Sequence, residues 1–211
     1  MLITKIKKKE DIDLLVALTP FVIKCYGCKE VYFPEEEINE FLSENRERIS
    51  GIVRLDYLCN EDFSKEYMEK YKNDIENSKS ILVFSCGVGV GVISKIISQI
   101  LLLGEEERYV FTGCDTSYVN GFQGLDIQPS DCRQCGECYL NSTGGICPIT
   151  ACAKYLLNGP CGGYKNGKCE VNPQMECGWV RIYNRLKEQK RAIEIATECK
   201  IRNYQRYITG K

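Results

Sequence analysis

The stretch Ser80-Ile81-Leu82-Val83-Phe84-Ser85, followed by Cys86-Gly87-Val88-Gly89-Val90-Gly91 and an apolar run to Leu103, decides the fold. An unbroken apolar core between two serines suits a strand buried on both faces of a parallel sheet. Gly91 to Leu103 reads as a mostly apolar helix, so strand, glycine turn and helix form one βα unit. The same alternation extends upstream. Glu10 to Ala17 can form a short helix, and Pro20 to Lys24 reads as a strand. Pro34 opens a helix over Glu35 to Ile49, with Ile38, Phe41, Leu42 and Ile49 at helical spacing and Gly51 as its stop. Val53, Leu55 and Tyr57 alternate with Arg54 and Asp56, as in a strand open to water on one face. Glu61 to Lys72 is a second amphipathic helix, and downstream Arg108 to Gly113 is another buried strand. Strands separated by helices of this length imply parallel pairing in an open α/β sheet.

Composition narrows the function. The chain has 211 residues, 44% hydrophobic and 27% charged, the values of a globular protein. A net charge of −1 leaves no nucleic-acid footprint. Histidine is absent while cysteine occurs 14 times, which excludes His-bound haem, His-based triads and two-cysteine, two-histidine zinc fingers. Cysteine is then the soft metal ligand available in quantity. The N-terminus carries no signal-peptide pattern, and Val88 to Leu103 is too short and too interrupted to span a bilayer. The expectation is a cytoplasmic protein without membrane contact. In that compartment so many cysteines argue for metal sites over disulfides.

From about Gly121 to Cys177 the sequence is rich in Gly, Pro, Asn, Ser and Cys and lacks a periodic apolar segment. Such a stretch cannot bury an ordinary core and needs another fastening. After Trp179 a helix is expected, with Val180, Tyr183 and Leu186, and later Ile193 and Ile195, on its apolar side. Within the stretch, Cys132-Arg-Gln-Cys135-Gly-Glu-Cys138 precedes Cys147-Pro148. This C-x2-C-x2-C triplet with a later Cys-Pro has the spacing of [4Fe–4S] ligands. Cys152, Cys161, Cys169 and Cys177 complete eight thiols, enough for two four-ligand sites. Zinc is the rival, because it also uses short C-x2-C pairs. Bunching in a triplet favours iron–sulfur for the first site and is indifferent for the second. Which thiol serves which site is open, and Cys147 can belong to the other cluster, as in two-cluster ferredoxins.

The α/β part has its own set. Cys25 and Cys28 follow the first predicted strand, Cys59 the second, Cys86 the third and Cys114 the fourth. In open α/β sheets ligands gather at that carboxyl edge. The alternatives are buried structural cysteines and a thioredoxin-like dithiol at Cys25-Tyr-Gly-Cys28. The glycines of Cys86 to Gly91 match G-x-G-x-x-G imperfectly and lack an acidic ribose partner, so they read as turn geometry or close backbone approach to a cluster. The basic residues between Arg181 and Lys211 can dock an acidic electron carrier, although a solvated helix face carries the same pattern. The expected fold class is an α/β, open, mostly parallel Rossmann-like sheet over 1–122 with an edge cysteine cluster. A cysteine-rich, loop-dominated metal-binding module with a C-terminal helix follows over 123–211.

Cys132-Arg-Gln-Cys-Gly-Glu-Cys138, Thr143-Gly-Gly-Ile-Cys-Pro148, Leu157-Asn-Gly-Pro-Cys-Gly-Gly163, Gly167-Lys-Cys-Glu170 and Cys177-Gly-Trp179 resemble the methylenetetrahydrofolate reductase C-terminal family. These are the small iron–sulfur subunits of the acetogen-type reductase. Cys25-Tyr-Gly-Cys28, Cys59 and Cys86-Gly-Val-Gly resemble it more loosely. A third early cysteine of the family pattern is replaced here by Tyr32, and Cys114 is an extra that can stand in for it. The preferred N-terminal ligands are Cys25, Cys28, Cys59 and Cys86, leaving Cys114 and Cys199 without a role. The resemblance implies an oxidoreductase subunit holding two or three [4Fe–4S] clusters, or one zinc among them, with little activity alone. It implies electron transfer to FMN or FAD on a TIM-barrel partner that makes methyltetrahydrofolate in the one-carbon metabolism of an anaerobe. Ferredoxin, flavodoxin or a larger complex would be the donor. The other functions weighed are a zinc-stabilised scaffold and an iron–sulfur donor to a corrinoid methyltransferase.

Overall fold

The computed structural model describes residues 2–26, 31–101, 109–118, 132–192 and 199–202. In chain order the elements are β1 (Leu2–Ile6), α1 (Lys9–Val16), β2 (Phe21–Cys25), β3 (Val31–Tyr32), α2 (Glu35–Glu44), β4 (Gly51–Leu55), α3 (Glu61–Lys70) and α4 (Lys72–Glu76). Then come β5 (Ser80–Phe84), α5 (Gly87–Leu101), β6 (Tyr109–Thr112), β7 (Cys114–Tyr118), α6 (Pro148–Ala151) and α7 (Gly178–Glu188). The result is a mixed α/β structure around a four-stranded parallel sheet of order β4-β2-β5-β6. Every residue of β2 and β5 is buried, as continuous apolar runs between two helical layers require. Odd-numbered residues such as Ile23, Ile81 and Val83 pack with Met68 of α3, Ile75 of α4 and Val90, Ile93 and Ile97 of α5. Even-numbered Val22, Leu82 and Phe84 face Ile12 and Val16 of α1 and Ile38, Phe41 and Leu42 of α2.

Strand order creates the crevice. From β2 the chain passes through α2 to β4 on one side, and then returns through α3 and α4 to β5 on the other. The winding of the chain thus reverses between β2 and β5 within a fully parallel sheet, the place where open α/β sheets form a ligand crevice beyond the carboxyl ends of their strands.

Several expectations are corrected. The helix from Glu35 stops at Glu44, because the Asn45 amide donates to the Phe41 carbonyl and turns the chain into a short 3-10 segment at Arg46–Arg48. Gly51 opens β4, where a Cβ would lie 2.8 Å from the Phe21 ring. β4 has buried Val53 and Leu55 around exposed Arg54, but Tyr57 lies past its end in a turn with φ of 49°. α5 starts at Gly87 and takes in the whole glycine run read as a turn. Cys25 closes β2 and so lies within the strand it was expected to follow, whereas Cys114 does come just after β6 and also begins β7.

A second sheet of order β3-β1-β7 was not expected. β1 and β7 pair antiparallel from Leu2↔Tyr118 to Ile6↔Cys114. β7 is a short, polar-rich run with little strand signal of its own, and long-range pairing with β1 supplies the order. The expected boundary at 122/123 lies outside the described residues, as do Cys28, Ile193 and Ile195. Between Cys132 and Cys177 the described chain is mostly irregular, with a 3-10 turn at Leu140–Ser142 and α6. Among the described residues no helix is long and apolar enough to cross a membrane.

Candidate metal centre

The thirteen described cysteines are free thiols. They fall into three neighbourhoods, with Cys114 and Cys199 outside them. The first lies at the crevice. Cys25 ends β2, and Cys86 precedes α5 one residue beyond Ser85. Cys59 stands on the turn between β4 and α3, fixed from beneath by fully buried Leu58. On that turn the Asn60 side chain accepts from the amides of Asp62 and Phe63, capping α3, while the Ser64 hydroxyl donates to the Leu58 carbonyl. Cys59 is thereby held at the surface, close enough to Cys25 for the two sulfurs to interact. Burial pushes the Cys59 thiol up and the Cys25 sulfur pushes it further. Burial also raises Cys86, with Cys25 and Cys59 adding to the effect against a hydrogen bond from the Gly89 amide.

The triplet forms the second neighbourhood, and β7 is its support. The Gly136 amide donates to the Thr116 carbonyl at 2.8 Å, and Cys135 bridges to Ser117. Asp115 Oδ1 accepts from the Cys138 amide at 2.8 Å. Positive φ at Gln134 (51°) and Gly136 (76°) folds the triplet tightly, at positions where the C-x2-C gaps place them. Cys147 joins the group from the start of α6, its backbone extended at φ −67° and ψ 117° as the following proline requires. Burial raises Cys132, Cys135 and Cys138, and Cys147 adds to the effect on all three. Cys138 is pushed up to about 12. The two neighbourhoods adjoin, because Cys86 also acts on Cys132, and a Cβ on Gly87 would sit 2.9 Å from Cys132 Sγ. Cys25, Cys138 and Cys147 all pack on the same apolar layer.

The third neighbourhood lies between α6 and α7. Cys152, Cys161, Cys169 and Cys177 line one small cavity with Pro160, Tyr164 and Trp179. Cys152 follows α6 and Cys177 precedes α7. The Cys169 amide donates to Met175 and the Cys177 amide to Gly167, which folds the loop on itself. Gly178 is required because a Cβ there would overlap the Ala151 carbonyl. Trp179, Ile182 and Leu186 give this region a small core, and Trp179 Nε1 donates to the Leu156 carbonyl. Exposed Cys161 donates to Glu170, which also pairs with Lys154.

Cys114 faces the opposite layer, among Phe84, Phe111 and Ile12, where burial holds its thiol well above its ordinary range. Exposed Cys199 is next to Lys200, which pairs through its backbone with the Asn158 side chain. Among the described residues no group of three or more cysteine, aspartate or glutamate side chains is close enough to form a metal site. The second and third neighbourhoods nevertheless each present four thiols, and the first presents three with Cys28 outside the described residues. The chemistry of that all-sulfur donor set is that of a soft metal or a [4Fe–4S] cluster, and the thiols would have to move together to hold one.

Sequence reasoning missed Lys7, Asp115 and Thr116. Asp115 Oδ1 is 2.6 Å from Lys7 Nζ, and the Gly87 amide donates to Thr116 Oγ1. Their partners lie far away in sequence, and no local motif marks them. A cleft of about 520 Å³ separates α5 from the cysteine-rich region, with Cys59 and Cys147 on its walls and Lys95, Arg181 and Arg185 around it.

No curated protein and no solved structure matches the chain. Residues 111–205 match the family described as methylene-tetrahydrofolate reductase C terminal, which relates the chain to that oxidoreductase. This segment, holding the second and third thiol neighbourhoods, matches the same family that its cysteine order resembles.

Proposed function

We propose that the chain is an iron–sulfur electron-transfer subunit of a methylenetetrahydrofolate reductase complex. It serves the flavin of a TIM-barrel catalytic partner and has little activity alone. The observation that carries this reading is the gathering of thiols into three neighbourhoods, two of which adjoin across Gly87. Cys25, Cys28, Cys59 and Cys86 would hold one cluster, Cys132, Cys135, Cys138 and Cys147 a second, and Cys152, Cys161, Cys169 and Cys177 a third. Clusters so bound would accept and release electrons singly. Around them the chain supplies enclosure: Leu58, Val90 and Leu140 exclude water beside the first two sets, and β7 fixes the second. Adjoining neighbourhoods shorten the path from one to the next.

The third set is where zinc competes best. Its thiols tie together a loop with little core, as in structural zinc sites, and its Cys161 and Glu170 face solvent. Oxygen-free purification with the partner, followed by iron, sulfide and zinc analysis and EPR, tests the proposal. About four irons per filled set are expected, together with a copurifying flavoprotein. Colourless protein carrying zinc alone overturns it, and a corrinoid protein in place of the flavoprotein would redirect it.

A further inference from the structure

We infer that Lys7 and Asp115 form a partly buried pair that sets the reduction potential of the group held by Cys132, Cys135, Cys138 and Cys147. The inference rests on the iron–sulfur reading of that set. Lys7 follows β1 and Asp115 lies in β7, so the antiparallel register brings together residues far apart in sequence. The pair then grips the third cysteine of the triplet at both backbone groups. Lys7 Nζ donates to the Cys138 carbonyl at 3.2 Å, and Asp115 Oδ1 accepts from the Cys138 amide at 2.8 Å. Lys7 and Asp115 close the arrangement on each other at 2.6 Å.

Ordinary surface ion pairs do little because water screens them. This pair is different, since the side chains are 11% and 27% exposed. Two opposite charges held against one ligand in a weakly screened site act on any change of charge there. One-electron reduction of the bound group adds a single negative charge, with no bond made or broken in the protein. Lys7 favours the state that holds the extra electron and Asp115 opposes it. A pair held by one ligand's backbone also fixes where Cys138 Sγ is presented. Lys7 and Asp115 are therefore positioning residues whose charges have opposite effects on potential.

The test is an EPR-monitored redox titration of the anaerobically purified complex, with dithionite as reductant. Loss of one signal in C135A identifies the relevant set. K7M is expected to shift that midpoint downward by about 59 mV, a tenfold change for a one-electron couple. D115N keeps an oxygen acceptor for the Cys138 amide and is expected to shift it upward. K7R keeps the charge and should stay near the parent. If K7M fails to load iron, K7Q replaces it in the comparison, with D115N as an independent arm. Midpoints that stay put at unchanged iron content, or that move the same way in K7M and D115N, overturn the inference. Absence of iron from the parent complex instead defeats the iron–sulfur reading itself.

Discussion

At the scale of single residues, glycine positions separate geometry from chemistry. Gly87 and Gly91 both lie in α5, where alanine would normally be favoured by about 1 kcal/mol. Beside Gly87 a Cβ meets Cys132 Sγ, whereas beside Gly91 there is nothing within 4 Å. G91A should therefore raise stability by up to about 1 kcal/mol in urea unfolding. In G87A, overpacking of about 1–3 kcal/mol opposes that gain. Its iron content should fall, because the thiol displaced is a proposed ligand.

Thiol ionisation makes a second prediction at this scale. Cys138 is raised from an ordinary 9.0 to about 12, first by burial. A raised thiol favours the folded, metal-free chain below its unfolded value, and that stabilisation is lost as pH rises towards the folded value. Urea midpoints of reduced, metal-free protein should thus decline from about pH 9 upward. Metal loading must expel those protons, so loading measured by competition should weaken as pH falls.

At the scale of elements, the turn before α3 links helix stability to the proposed site. Asn60 caps α3 through two amides and shapes the loop that carries Cys59. N60A should cost about 1 kcal/mol in urea unfolding, and the loosened loop should reduce iron in the first set while leaving the third unchanged. Element boundaries were legible in part. β5 followed from its apolar run and the start of α2 from Pro34 and the spacing of Ile38, Phe41 and Leu42, because local periodicity reports burial directly. β1 and β7 were not legible. β7 reads Cys-Asp-Thr-Ser-Tyr, a polar run whose strand character comes from its partner β1 more than a hundred residues earlier. The end of α2 was missed because Asn45 bonds back to its own helix, a local competition that spacing does not show.

Across the whole molecule, three apolar clusters hold the described residues together, two on either face of the parallel sheet and a smaller one beneath α7. The third contains Trp179, Ile182 and Leu186 but few other large buried side chains. Removing metal with a chelator should therefore release amide protection first between Cys152 and α7, while β2 and β5 stay protected in hydrogen exchange. That order follows from the unequal burial, since an irregular loop with a small core would depend most on a bound metal.

By itself the sequence determined the parallel sheet, the extended backbone before Pro148 and the family resemblance of the 111–205 segment, because each is written in local spacing or in residue type. Only the tertiary structure decided how the thiols divide into groups, that Cys147 joins the triplet, and that Cys114 turns to the opposite layer. It alone revealed the β7 support with its Lys7–Asp115 grip on Cys138. The physical reason is that grouping depends on strand order and register, which join residues distant along the chain, and those long-range pairings leave no periodic trace in either partner.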